Sequence, residues 1–244
     1  MKRIVFIEPS SPDFHIFSRM ALPRLGTLLL GTKLKEKGYE VKSFVEAIAG
    51  IDFDYLLGAD AVGISTITST SIRSYEIAKL LKKTGIPVFM GGPHVTFMPE
   101  EALEHVDYVL RGEADDVILD FIEALEKGKG FERIDGLSYK KDGQTVHNRT
   151  SAYCHDLDTL PCPDFSIVSG LETNAWRKLN VTPIMTSRGC PYDCSFCSVT
   201  AMFGQKYRFR SKEKVLMELA NHRDMRGDMI FFYDDNFIAN RKRT

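Results

Sequence analysis

Through roughly the first 130 residues, short apolar runs alternate with stretches in which apolar positions recur every three or four residues. The runs at Arg3–Glu8, Glu40–Phe44, Ala61–Ser65, Pro87–Met90 and Tyr108–Arg111 predict strands. The stretches Leu25–Lys37, Ser71–Lys83, Pro99–His105 and Ala114–Lys127 predict helices. In the first of these Leu25, Leu28, Leu29 and Leu34 form one stripe, and Gly38 supplies a stop. Five strands alternating with helices predict an α/β fold with a parallel, doubly wound sheet. Ligands of such sheets sit outside the carboxyl ends of the strands, at the switch point.

A hairpin follows, with Leu137–Tyr139 and Thr145–His147 flanking Lys141-Asp142-Gly143, where glycine can take the positive φ of a tight turn. Pro161 and Pro163 then interrupt any helix or central strand. Residues 155–180 therefore read as a linker between a first domain, 1–154, and a second, 181–244. The second pattern runs strand Pro183–Ser187, a cysteine loop, helix Lys212–Arg226 and strand Asp228–Tyr233. A closed eight-unit barrel takes about 250 residues. About two units are present, so the expectation is the start of a partial (βα) barrel, truncated after its second strand.

Composition narrows the class. Apolar residues make up 43% and charged residues 27%, which suits a buried core. A net charge of −1 without long runs of one sign argues against a nucleic-acid partner. No run approaches the roughly 18–20 residues of a membrane span, and the opening Met1–Glu8 is too short for a secretory leader. A cytoplasmic location is expected, with no membrane partner. The five cysteines begin only at Cys154. An odd, clustered set reads as metal ligands or redox groups, not as a disulfide framework.

Cys190, Cys194 and Cys197 stand on one loop at C-x3-C-x2-C spacing. Gly189 allows a sharp turn into the first, and Pro191 stiffens the exit. Three thiolates can hold an iron–sulfur cluster and leave one iron open to a substrate. A structural zinc site would need a fourth ligand from Cys154, Cys162 or a histidine. The string "TSRGCPYDCSFCS" resembles the signature loop of the radical S-adenosylmethionine enzymes. That resemblance implies that Cys190, Cys194 and Cys197 hold three irons of a 4Fe–4S cluster, with S-adenosylmethionine on the fourth. It further implies Phe196 beside the adenine, and Asp234 and Asp235 near the methionine ammonium. The other reading of the acidic pair is a solvated strand end.

The first domain carries a second resemblance. "LGTLLLGTKLKEKGYEV", "GISTI" and "VFMGGPHVT" are similar to the Rossmann-like cobalamin-binding domains, which implies cofactor contacts at Gly26, Ser65, Gly91 and Gly92. Ordinary turn residues are the plain alternative. Many such domains place D-x-H-x-x-G before the first helix, yet Ala21-Leu22-Pro23-Arg24-Leu25-Gly26 stands here. His15 lies too early to replace that histidine, so cobalamin held base-off is expected. His94 and Glu113 are candidates to line the cofactor, while His105, His147 and His222 read as structural or surface residues.

Taken together the chain resembles the N-terminal portion of the cobalamin-binding radical S-adenosylmethionine enzymes, the group of the anaerobic magnesium-protoporphyrin monomethyl ester cyclase. The resemblance implies a 5′-deoxyadenosyl radical and methyl transfer to, or cyclisation at, an unactivated carbon of a small-molecule substrate. It also implies a reducing partner such as a flavodoxin or ferredoxin. Two alternatives stay open: a truncated, non-catalytic cofactor-binding module, and a cobalamin-independent radical enzyme with a vestigial first domain.

Overall fold

Side chains on strand β1 (Arg3–Glu8) alternate between two apolar faces. Val5 and Ile7 point one way, Ile4 and Phe6 the other, and all four are buried. Such a strand needs a sheet covered on both sides. In the computed structural model, which describes residues 1–11, 22–171, 181–221 and 229–243, that sheet has seven strands. Side by side they run β2 (Glu40–Val45), β1, β3 (Ala61–Ser65), β4 (Val88–Gly91), β5 (Tyr108–Leu110), β6 (Leu137–Lys141) and β7 (Gln144–His147). The first five are parallel, and the order reverses between β1 and β3, the predicted doubly wound arrangement. The predicted hairpin is no appendage: β6 pairs antiparallel with β5 and extends the sheet. Its turn places both Asp142 and Gly143 at positive φ, as a two-residue connection requires.

Helices cover both faces: α1 (Leu25–Glu36), α2 (Phe53–Leu56), α3 (Ser71–Lys82), α4 (Pro93–Phe97), α5 (Pro99–Ala102) and α6 (Ile118–Lys127). Ile77 and Leu81 of α3 pack on Val62, Ile64, Val88 and Met90. On the other face Leu34 of α1 and Phe121 and Ile122 of α6 meet Phe6 and Phe89. Two boundaries differ from expectation. The helix expected at Pro99–His105 ends already at Ala102, and Pro93 opens a further short helix that was not expected. The last helix starts at Ile118 instead of Ala114, because the preceding residues form a loop whose Glu113 and Asp115 are buried against distant arginines.

The expected linker is packed through its described part. Leu157, Leu160, Phe165, Ile167, Val168 and Leu171 form a third core with Leu25, Leu28 and Leu29 of α1. Val168 bridges to Ser43 beside β2, and the Ser169 N–H donates to the Ser43 carbonyl at 2.8 Å. Beyond it, β8 (Val181–Ile184) is followed by β9 (Ser187–Arg188), α7 (Val199–Phe203), β10 (Arg208–Phe209), α8 (Lys212–Asn221) and β11 (Met229–Phe232). β8 and β11 are parallel neighbours, while β9 and β10 make an antiparallel pair. The single strand expected at Pro183–Ser187 is split, since Thr186 and Ser187 give their N–H groups to the Asp234 carboxylate. His15 and His222 lie outside the described residues.

Candidate functional site

The carboxyl ends of β1, β3, β4 and β5 border a cavity of about 350 Å³. Gly26, Ser65, Gly91 and Gly92 all line it. Across from them stand Ser187, Arg188, Tyr233 and Asp235, from the segment around the cysteine loop. One cavity thus brings together Gly26, Ser65, Gly91, Gly92, Glu113 and Asp235 of the residues singled out in the sequence. Among the described residues, a side chain at Gly26 would meet nothing within 4 Å, and at Gly91 only the Leu110 carbonyl at 3.7 Å. Gly92 is glycine for a different reason. Its φ is +103°, and a Cβ would fall 2.7 Å from the Thr66 carbonyl oxygen.

Ser65 is held by Arg24, whose Nη1 donates to the Ser65 carbonyl at 2.7 Å and lies 3.3 Å from its hydroxyl. The Arg24 N–H donates to Glu8 at 2.8 Å, and the Thr27 hydroxyl donates to the same carboxylate. Burial pushes the Glu8 carboxyl up, with Arg24 and Thr27 opposing. Among the described residues the buried Thr66 hydroxyl, next along from Ser65, has no hydrogen-bond partner. Arg24 and Glu8 escaped the sequence reading; the available signals were a charged residue ending an apolar strand and a cation two residues before Gly26.

The acidic pair divides. The Asp234 side chain is fully buried and accepts from the N–H and hydroxyl groups of both Thr186 and Ser187. It bolts β9 to the end of β11. Asp235 accepts the Gly189 N–H at 2.9 Å and keeps surface on the cavity. Desolvation raises its carboxyl above the ordinary range; the Gly189 hydrogen bond opposes this and the Asp234 charge adds to it. Gly189 itself, at φ +83°, passes so close to the Lys206 carbonyl that a Cβ would lie 2.7 Å away.

All three loop cysteines are free thiols, Cys194 exposed and the others partly so. The Cys197 N–H donates to the Cys194 carbonyl at 3.0 Å, and Asn236 Nδ2 lies 3.9 Å from the Cys190 sulfur. Among the described residues no three His, Cys, Asp or Glu side chains converge as a metal site. The loop therefore offers soft donors of the right kind without having gathered them. Phe196 is 90% exposed and does not line the cavity. Of the candidate fourth ligands, Cys154 is buried in the third core and Cys162 accepts from Asn221. Glu113 lines the cavity but is spent on Arg208 and the Cys154 N–H. His94 bonds to Thr68 and Tyr75, away from the cavity lining. His105 stacks on Tyr75, and His147 sits between Ser138 and Glu100.

Comparison with known proteins agrees with this geometry. The family described as B12 binding domain matches residues 18–122. An uncharacterized methyltransferase of Pyrococcus horikoshii is 32% identical over the whole chain, which spans 55% of that protein. The anaerobic magnesium-protoporphyrin IX monomethyl ester cyclase of Cereibacter sphaeroides is 26% identical over 99% of the chain and 42% of its own length. The chain is similar along its length to cobalamin-binding radical S-adenosylmethionine enzymes. Two solved structures share its fold. The cobalamin-dependent S-adenosylmethionine radical enzyme OxsB superposes with a TM-score of 0.79 at 21% identity, covering 98% of this chain and 34% of that one. The methyltransferase TsrM of Kitasatospora setae, solved with cobalamin and a [4Fe-4S] cluster, gives 0.73 at 17% identity over 98% and 48%. The chain spans about half the length or less of these proteins. No helix among its described residues is long and apolar enough to cross a membrane.

Proposed function

We propose that the chain is the cofactor-binding part of a cobalamin-dependent radical S-adenosylmethionine enzyme, a methyltransferase or oxidative cyclase acting on a small molecule. The observation that carries this is the single cavity bordered by Gly26, Ser65, Gly91 and Gly92 on one side and by Asp235 and the cysteine-loop segment on the other. The residues fit the groups implied. Open positions at Gly26 and Gly91 form a cradle that a Cβ would fill, and Ser65 offers a hydroxyl at its edge. Three free thiols on one loop are the donor set for a 4Fe–4S cluster.

Cys190, Cys194 and Cys197 would hold that cluster, and Asp235 would face the ammonium of S-adenosylmethionine. Phe196, exposed here, would cover the adenine. Asp234 fixes Thr186 and Ser187, so the strand that launches the loop keeps its position. When bound, these groups supply one-electron cleavage of a sulfonium, hydrogen removal from an unactivated carbon, and a methyl or cyclisation route. The apolar walls at Phe6, Phe89, Leu110, Met185 and Met202 would help to exclude water from the space between the bound groups. Free thiols suit a reducing compartment, so the proposed location is the cytoplasm, with a flavodoxin- or ferredoxin-like protein as electron donor.

Anaerobic reconstitution with iron and sulfide, with hydroxocobalamin added separately, tests the proposal. About four irons per chain, lost in Cys194→Ala, and a base-off cobalamin spectrum are expected. Tightly bound zinc without cobalamin would sink it.

A further inference from the structure

Four buried charges join the seven-stranded sheet to the segment that launches the cysteine loop. Glu113 and Asp115 lie on the loop between β5 and α6, whereas Arg188 and Arg208 come from β9 and β10. Arg188 Nη1 and Nη2 donate to the two Asp115 oxygens at 2.6 and 3.2 Å. Arg208 Nη2 and Nη1 donate to the two Glu113 oxygens at 2.5 and 2.9 Å. Arg188 Nη1 also lies 3.3 Å from Glu113, so the four side chains make one network, none more than 10% exposed. Removing a partner from such a network leaves an uncompensated buried charge. Its members therefore move together.

Glu113, Asp115 and Arg188 form part of the cavity wall. Arg188 is also separated from Cys190 by Gly189 alone. Gly189 has little room to absorb a shift, since it is pressed against the Lys206 and Gly204 carbonyls and tied to Asp235. A displacement of Asp115 by a ligand in the cavity thus reaches Cys190 through one side-chain pair and two peptide units.

We infer that Arg188 is a positioning residue whose bidentate pair with Asp115 couples occupancy of the cavity to the arrangement of the cysteine loop. This rests on the reading of cavity and loop as two cofactor sites. Linkage makes the coupling reciprocal: a cluster on the loop changes the cavity's affinity for its ligand by the factor the ligand imposes on the loop.

Anaerobic equilibrium dialysis of hydroxocobalamin measures that factor. The proteins are the cluster-loaded chain, the C190A/C194A/C197A variant, and both again with Asp115→Asn. The first two should differ about fivefold or more in affinity. With Asp115→Asn the ratio should fall below about twofold, a change that mere loss of stability does not produce. Asp115→Glu, which keeps the charge, should restore part of it. Equal affinities in the first pair overturn the inference, as does an undiminished ratio with Asp115→Asn. If Asp115→Asn fails to fold, Arg188→Lys takes its place; it keeps the cation, loses the bidentate fork and carries the same expectation. Binding of both cofactors without interaction removes the coupling alone. Failure of hydroxocobalamin or iron to bind removes the cofactor reading and the coupling with it.

Discussion

Val5 and Ile7 of β1 have no exposed surface, whereas Met229 and Ile230 of β11 are 57% and 47% exposed. Both strands are apolar members of parallel pairs. The seven-stranded sheet covers its strands with helices on both faces and is stabilised by non-directional apolar burial. The cysteine-loop segment is held by directional polar ties: Arg208 to Glu113, Arg188 to Asp115, and Asp234 to Thr186 and Ser187. Burial stabilises a region without fixing where a single atom lies, whereas bidentate pairs do fix it. The contrast fits a sheet that serves as platform and a loop that must be aimed.

Cutting one of those ties should break the contrast most sharply. Arg208→Met leaves Glu113 buried with much of its pairing gone, which costs about 3–5 kcal/mol. The loss should be local. Hydrogen exchange is expected to show β8, β9 and β10 losing protection first while β1 and β3 stay protected. Equal loss in both places would mean that the segment and the sheet unfold as one unit.

Gly92→Ala strikes the platform instead. At φ +103° with a Cβ 2.7 Å from the Thr66 carbonyl, the variant carries backbone strain of about 1–3 kcal/mol. Its urea midpoint should drop as one cooperative transition, without the regional split expected of Arg208→Met. A split here would show that the β3–β4 edge is not part of the sheet's common core.

Much of the platform was legible in local pattern. β1 and β3 occupy the residues that their apolar runs predicted, because those runs are buried on both faces and nothing distant redirects them. Gly26, Ser65, Gly91 and Gly92 were also readable as a set, and they line one cavity. The ties were not readable. Arg188 meets Asp115 across 73 residues and Arg208 meets Glu113 across 95, and no periodicity marks such pairs. The division of labour between Asp234 and Asp235 was hidden for the same reason. It depends on which of two adjacent carboxylates turns toward the N–H groups of Thr186 and Ser187.

Acid should separate the two regions by smaller steps. Burial disfavours the Asp115 charge, but Arg188 outweighs it and holds this carboxyl below its ordinary value of 3.8. A depressed carboxyl contributes stability that is fully present above the ordinary value and is lost as pH falls through the folded one. The stability gap between wild type and Asp115→Asn should therefore be constant above about pH 5 and shrink below pH 4 or so. Glu8, raised by burial, has the opposite sign: the folded state takes up its proton first, so Glu8→Gln should gain relative stability as pH rises above 4.5. Thermal melts across this range check both signs. A gap for Asp115→Asn that is flat below pH 4 would show that the ion pair adds nothing beyond packing.

Gly26→Ala has the smallest expected effect on stability and separates the two meanings of a glycine. The residue lies in the first turn of α1, exposed, and among the described residues a Cβ there meets nothing within 4 Å. Alanine is the better helix former, so the melting temperature should stay level or rise with a gain of up to about 1 kcal/mol. The added methyl enters the cavity edge where the cofactor is proposed to lie. Hydroxocobalamin affinity should fall roughly tenfold, equivalent to about 1.4 kcal/mol. Opposite signs in the two measurements would mark Gly26 as a glycine kept for a ligand, unlike Gly92, which is kept for the backbone. A stability gain with unchanged affinity would move the proposed cofactor away from α1 and leave Gly26 an ordinary surface position.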